Sequence, residues 1–152
     1  VMEKAARQLD ELAIPFEILA LSAHRTPDEV AEFARGAEER GVRVIIAGAG
    51  MAAHLCGVIA SMTPLPVIGV PIKATLDGMD ALLAIVQMPP GIPVATVGIN
   101  GAQNAALLAA QMLSLGDADL MKRLKAFKEG LKEKVVRANA DLKEVKYSFK
   151  TN

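Results

Sequence analysis

The chain has 152 residues, a length suited to one domain, and its 17 basic and 17 acidic side chains cancel, so no electrostatic footprint for nucleic acid is present. Apolar residues make up 52% and aromatic residues only 3%, so the core must be built from Ala, Val, Ile, Leu and Met, which suits packed α/β layers better than a β-sandwich. A single cysteine, Cys56, excludes an internal disulfide and fits a reducing cytoplasm, and no uninterrupted apolar run reaches the roughly 18 residues of a membrane helix.

Val1 to Leu12 reads as a helix, with Val1, Ala5, Leu9 and Leu12 at helical spacing among charged residues. Ile14-Pro15 breaks it, and Phe16 to Leu21 is predicted as a strand. Thr26-Pro27-Asp28-Glu29 is a helix start: Thr26 suits the N-cap, Pro27 the first helical position, and Glu29 completes a capping box. That helix is expected to reach Arg40 and stop at Gly41. Val42 to Ala47 is apolar almost throughout, as buried parallel strands are, and leads to the turn Gly48-Ala49-Gly50 and a helix over 52–61. After the turn Thr63–Pro66 come a strand over 67–70, a loop over 71–77 and a helix over 78–87. Val94 to Val97 is a further strand, followed by an Ala/Leu-rich helix over 102–115. A last helix over 117–145 carries the apolar stripe Leu120, Leu124, Phe127, Leu131 and Val135. Charge is uneven: residues 1–116 hold 7 basic and 11 acidic side chains, and 117–152 hold 10 and 6.

Strands alternating with helices over short connections call for a parallel sheet with helices on both faces. Ligands of such sheets bind at the carboxyl ends of the strands, here the loops 22–26, 48–51, 71–77 and 98–104. In a doubly wound sheet the first strand is usually central, so a strand and a Gly- or Ser-containing loop are expected ahead of Val1.

His24 lies at the end of the first expected strand, just before a helix N-terminus. An imidazole there either shuttles protons near neutral pH or caps the turn. Arg25 and the adjoining helix start attract phosphate or carboxylate; the alternative is a surface ion pair with Asp28 or Glu29. Ser22 either donates to the same anion or ends the strand. Gly48-Ala49-Gly50 is neither of the common phosphate-loop signatures; its content is steric, letting backbone approach a ligand closely. His54 reads as a hydrogen-bonded supporting histidine, Cys56 as a small buried hydrophobe, and the seven methionines as packing filler. Asn100 through Asn104 either offer amides to a ligand or satisfy loop backbone. Two histidines without a Cys, Asp or Glu cluster argue against a metal site.

Seven ordered runs between about residues 20 and 113 resemble one family. They are Ser22-Ala23-His24-Arg25-Thr26-Pro27, Val44-Ile45-Ile46-Ala47-Gly48-Ala49-Gly50, Ala52-Ala53-His54-Leu55, Pro64-Leu65-Pro66-Val67-Ile68-Gly69-Val70-Pro71, Ile85-Val86-Gln87-Met88-Pro89, Gly91-Ile92-Pro93-Val94-Ala95-Thr96 and Asn104-Ala105-Ala106-Leu107-Leu108-Ala109-Ala110. The family is PurE, the N5-carboxyaminoimidazole ribonucleotide mutases of purine (IMP) biosynthesis. The resemblance implies a flavodoxin-like three-layer α/β/α fold with a parallel sheet in one domain over 1–152. It implies a cytoplasmic homo-octamer, with the C-terminal helix and tail (117–152) packing on a neighbouring subunit. It implies an isomerase that uses no cofactor and no metal, decarboxylating its ribonucleotide substrate and recapturing the CO2 at ring carbon 4. His24 would carry the proton, and Ser22, Ala23, Arg25, Gly48, Ala49, Gly50, His54 and Leu55 would contact substrate or CO2. The family's Gly-Ser-x-Ser-Asp-type loop has no counterpart here, and Met51, Cys56, the 73–75 loop and Ala81 depart from common family residues. A related branch that carboxylates aminoimidazole ribonucleotide directly with CO2 commonly has Lys where Arg25 stands. A catalytically silent ribonucleotide-binding protein is the alternative from another class.

Overall fold

The computed structural model describes all residues, Val1–Asn152. Three parallel strands, β1 (Ile45–Gly50), β2 (Val67–Ile72) and β3 (Ala95–Thr96), lie side by side in that order. The ladder between β1 and β2 runs unbroken from Ile45↔Val67 to Gly50↔Ile72, and β3 joins at Ile68↔Ala95 and Gly69↔Thr96. Around the sheet lie α1 (Glu3–Glu11), α2 (Pro27–Gly36), α3 (Leu55–Ala60), α4 (Met79–Val86), α5 (Ala102–Ser114) and α6 (Ala118–Glu144).

Successive strand residues point to opposite faces, and the sequence is apolar on both. Ile45, Ala47 and Val67 pack on one face against Val30 and Ala34 of α2, Cys56 and Ile59 of α3, and Ala81 and Ile85 of α4. Ile68 and Val70 pack on the other against Ala5 and Leu9 of α1 and the alanine row Ala102, Ala105, Ala106 and Ala109 of α5. This is the expected three-layer α/β/α arrangement. Each fully buried Ile or Val contributes about 1.5–3 kcal/mol.

Several boundaries differ from expectation, each for a local reason. Phe16–Leu21 forms no strand. None of its backbone groups pairs with another strand, and Phe16, Ile18 and Leu19 are exposed. A groove of about 810 Å³, flanked by Ile14–Leu21 and Gly41–Gly48, separates this segment from β1, so the ladder it needs is out of reach. The segment is held instead by Arg40, whose guanidinium donates to Glu17 at 2.9 Å and lies 5.2 Å from the Phe33 ring. The Glu17 hydrogen bond raises the Arg40 pKa further. The sheet thus has three strands where four were expected.

β1 starts three residues later than expected and runs through Gly48-Ala49-Gly50, which read as a loop, because those residues stay in register with Val70, Pro71 and Ile72. β2 runs on to Ile72 for the same reason. The helix expected over 52–61 begins at Leu55, since Met51 (φ 57°) and Ala53 (φ 49°) are left-handed. Similarly, α4 begins at Met79 after left-handed Asp77 (φ 55°) and Gly78 (φ 87°). α2 is shorter than its expected span, ending at Gly36. The Thr26 capping box is absent: the Thr26 hydroxyl accepts from Ser22 N at 2.9 Å and donates to Ser22 O, leaving nothing for the helix.

α6 opens on an N-cap at Asp117, the first residue of the span expected for this helix. The Asp117 carboxylate accepts from the amides of Asp119 and Leu120 at 3.0 and 2.9 Å. Its stripe divides. Leu120 and Leu124 are buried against Leu12 and Ala110, and Arg123 Nε donates to Leu12 O at 2.9 Å. Leu131 and Val135 are exposed.

Gly69, in the middle of β2, has no room for a side chain: a Cβ there would overlap Ile85 Cγ2 and lie 3.0 Å from Val94 Cγ1. Gly69→Ala is expected to lower unfolding stability by about 1–3 kcal/mol, read as a fall in the urea midpoint. Gly116→Ala, where a Cβ meets nothing within 4 Å, is the control and should stay within about 0.5 kcal/mol of the parent.

Candidate active site

The turn Ser22–Thr26 is closed on itself. Thr26 N donates to Ser22 O at 2.9 Å, Thr26 Oγ1 binds both backbone groups of Ser22, and Arg25 N donates to Ser22 Oγ at 3.2 Å. These bonds join the turn to α2, whose first turn starts at Pro27. They leave the side chains of His24 and Arg25 exposed. Arg25 forms no ion pair: the salt bridges of the chain involve Arg7, Arg40, Lys73, Lys122 and Lys132. The reading of Arg25 as a partner of Asp28 or Glu29 is therefore set aside. A fixed cation stands free at a helix start that also carries acidic Asp28 and Glu29.

His54 comes from the other side of the site, as N-cap residue of α3. Its side chain does not cap the helix. Its Nδ1 instead lies 2.8 Å from His24 Nε2, with ring centroids 4.8 Å apart and planes at 78°. The hydrogen-bonded reading of His54 is borne out, and its partner is the other histidine of the chain. Leu55, the next residue, is half-buried against the α2–α3–α4 face of the core.

Gly48, Ala49 and Gly50 end β1 on the same edge, each half-buried. Their steric content is real but is taken up by the chain itself. A Cβ on Gly48 would overlap Met2 Sδ, so the start of α1 lies directly over it. A Cβ on Gly50 would lie 3.0 Å from Ile72 O and 3.4 Å from Ala74 Cβ. The loops after β2 and β3 are tied together: Asn100 N donates to Pro71 O at 2.8 Å, and Asn100 Oδ1 accepts from Lys73 N at 3.0 Å. Of the two readings for Asn100, loop satisfaction is the one realised.

Backbone strain gathers on this edge. The non-glycine residues with positive φ are Ala13, Met51, Ala53, Leu76, Asp77 and Asn100, and all but Ala13 sit in loops following the strands. Such conformations cost about 1–3 kcal/mol each and collect at functional sites. Sequence reasoning missed the linking roles of Thr26, Lys73 and Asn100. The Ser22–Thr26 spacing of four was the available signal for the first; the other two depend on contacts across strands. No three His, Cys, Asp or Glu side chains converge. A concavity of about 610 Å³ lies elsewhere, between 60–66 and 91–93, next to the amino ends of β2 and β3.

Cys56 lies below this edge and takes no part in it. It is fully buried, its Sγ donates to Ala47 O at 3.3 Å, and burial pushes its pKa up to about 11.

Taken as a class, this is a parallel α/β protein in which the turn before α2 and the loop after β1 together present paired imidazoles and an unpaired guanidinium, equipment for moving protons on a small anionic ligand. The chain belongs to the AIR carboxylase family, whose model matches residues 1–134. It is 58% identical over 133 residues to the N5-carboxyaminoimidazole ribonucleotide mutase of Pyrococcus abyssi, covering 87% of this chain and 76% of that protein. It is 53% identical over 148 residues to the mutase of Thermotoga maritima, covering 97% and 86%. It is also 53% identical to the phosphoribosylaminoimidazole carboxylase of Schizosaccharomyces pombe, matching 95% of this chain but 26% of that protein. The crystal structure of Treponema denticola PurE superposes with a TM-score of 0.83 at 28% identity, covering 93% of this chain and 89% of that one, in keeping with the flavodoxin-like expectation.

The Cys56 thiol should resist iodoacetamide at pH 8 in the folded protein and react fully once unfolded in urea, as mass spectrometry will show. Rapid labelling of the folded protein would contradict the burial described.

Proposed function

We propose that this chain is an isomerase of purine biosynthesis that interconverts N5-carboxyaminoimidazole ribonucleotide and 4-carboxy-5-aminoimidazole ribonucleotide. The observation that carries the reading is identity of 53–58% to mutases over most of both chains. The geometry of the turn supports the roles.

In the forward direction the N5–carboxyl bond breaks, CO2 leaves, and N5 takes up a proton. Ring carbon 4 then attacks the CO2 and gives up its own proton. One group must therefore supply a proton and later remove one. His24, exposed on a turn that is hydrogen-bonded into place, serves as that group. General acid–base help of this kind contributes about 10²–10⁴-fold. The free Arg25 guanidinium and the amides of α2 hold a phosphate or carboxylate, and Ser22 Oγ, which accepts from Arg25 N, keeps its own hydrogen to donate. The backbone of Ala23, Gly48, Ala49 and Gly50 and the Leu55 side chain border the carboxylate and CO2, and His54 meets them on the solvent side through His24. The reaction is redox-neutral and needs no cofactor.

The His24 and Arg25 side chains stand open on the single chain, and two rows of apolar side chains are uncovered: Met79, Leu83 and Val86 on α4, and Leu131, Val135 and Val136 on α6. Both rows support assembly into a homo-octamer in which 117–152 packs on a neighbour. The lone buried thiol suits a cytoplasmic setting.

His24→Asn should lower kcat by about 10²–10⁴-fold while leaving KM within a few-fold. Arg25→Ala should instead raise KM by about 10–100-fold, the loss of a charge-assisted hydrogen bond. Unchanged turnover in His24→Asn sinks the proton-carrier role. Robust product from aminoimidazole ribonucleotide and bicarbonate alone moves the protein to the direct carboxylase branch, and no turnover by the intact protein favours a silent binder. Light scattering should give eight times the 16.0 kDa chain mass, and a monomer would contradict the assembly.

A further inference from the structure

We infer that His24 does not work as a lone imidazole: His54 selects its working nitrogen and exchanges protons with it. The inference rests on His24 being the proton carrier of the proposed reaction.

Two imidazole nitrogens 2.8 Å apart share one hydrogen, because two lone pairs or two N–H groups facing at that distance repel. His24 Nε2 is thereby committed to His54 Nδ1, and the nitrogen of His24 left to meet a ligand is Nδ1, which has no partner in the protein. On the far side, His54 Nε2 is also without a protein partner, on an exposed residue. The pair is a chain with one end for substrate and the other for solvent.

The chemistry gives this chain a task. A neutral imidazole that donates its Nδ1 proton is left an imidazolate unless its Nε2 takes up a hydrogen. When His24 Nδ1 gives its proton to N5, the hydrogen on His54 Nδ1 crosses to His24 Nε2, and His54 Nε2 takes one from solvent. Each ring ends neutral with its hydrogen on the opposite nitrogen. When carbon 4 gives up its proton, the same moves run backwards: His24 Nδ1 takes it, Nε2 returns its hydrogen to His54 Nδ1, and His54 Nε2 releases one to solvent. Protons balance over the cycle, and His24 is never required to be an anion. Ala53, immediately before His54, is left-handed, and the His54 side chain makes no hydrogen bond to α3, so its Nδ1 is free for His24.

Substitutions at His54 separate proton exchange from simple support. His54→Asn places an amide oxygen where Nδ1 stood, so it holds His24 by a hydrogen bond but passes no proton. His54→Ala removes the partner altogether and leaves room for free imidazole. With exchange, both variants bind substrate with KM within a few-fold of the parent and lose about 10–100-fold in kcat. Added imidazole restores a large part of kcat to His54→Ala. A plot of kcat against the deuterium fraction of the solvent is curved in the parent (more than one proton in flight) and linear in His54→Asn. Parent-like kcat in His54→Asn, or a failure of imidazole to rescue His54→Ala while circular dichroism shows it folded, overturns the inference. If His24→Asn itself keeps full activity, the carrier assignment has failed instead, so the two failures are told apart.

Discussion

The structure depends on the six-residue parallel ladder between β1 and β2, whose side chains face helices above and below. Gly69 sits inside this ladder because Ile85 and Val94 close over it. Once Ile45 is opposite Val67, the register carries Gly50 opposite Ile72, and the loops that follow must emerge together on one edge.

What the loops do there follows from how their backbones are satisfied. The Ser22–Thr26 turn uses its own hydroxyls to close itself, which spares His24 and Arg25 from structural duty. The loop after β1 accepts left-handed residues at Met51 and Ala53, and α3 therefore starts with His54 turned towards His24. Asn100, also left-handed, stitches the loop after β3 to the loop after β2. Strain is thus concentrated in the loops after the strands, and the alanine-rich contact of α1 with α5 carries none of it.

α6 shows a different division of labour. Its first turns are anchored by the Asp117 cap, by Leu120 and Leu124 in the core and by Arg123 on Leu12 O. Along its later turns the apolar residues continue at Leu131, Val135 and Leu142, all exposed. Lys150 steadies its far end by donating to the carbonyls of Lys143 and Val145 at 2.8 and 2.9 Å.

Much of this was legible in the amino-acid order. Apolar runs of strand length between amphipathic helices specify a parallel α/β sheet, because burial on two faces demands such runs. Ser22, His24 and Arg25 stood out as site candidates from their place between an apolar run and the Thr26-Pro27 helix start, and the ordered family runs pointed to the reaction. Tertiary structure alone decided the rest. It showed that Phe16–Leu21 lacks a ladder, since a strand exists only through its neighbour. It extended β1 through Gly48–Gly50, since register is set by the opposite strand and not by local propensity. It took Thr26 away from its helix and Arg25 away from any ion pair, since hydrogen-bond partners are chosen in space. Above all it brought His54 within 2.8 Å of His24 across thirty residues of sequence, a separation that no local pattern encodes and that only the packing of two loops on one sheet edge can close.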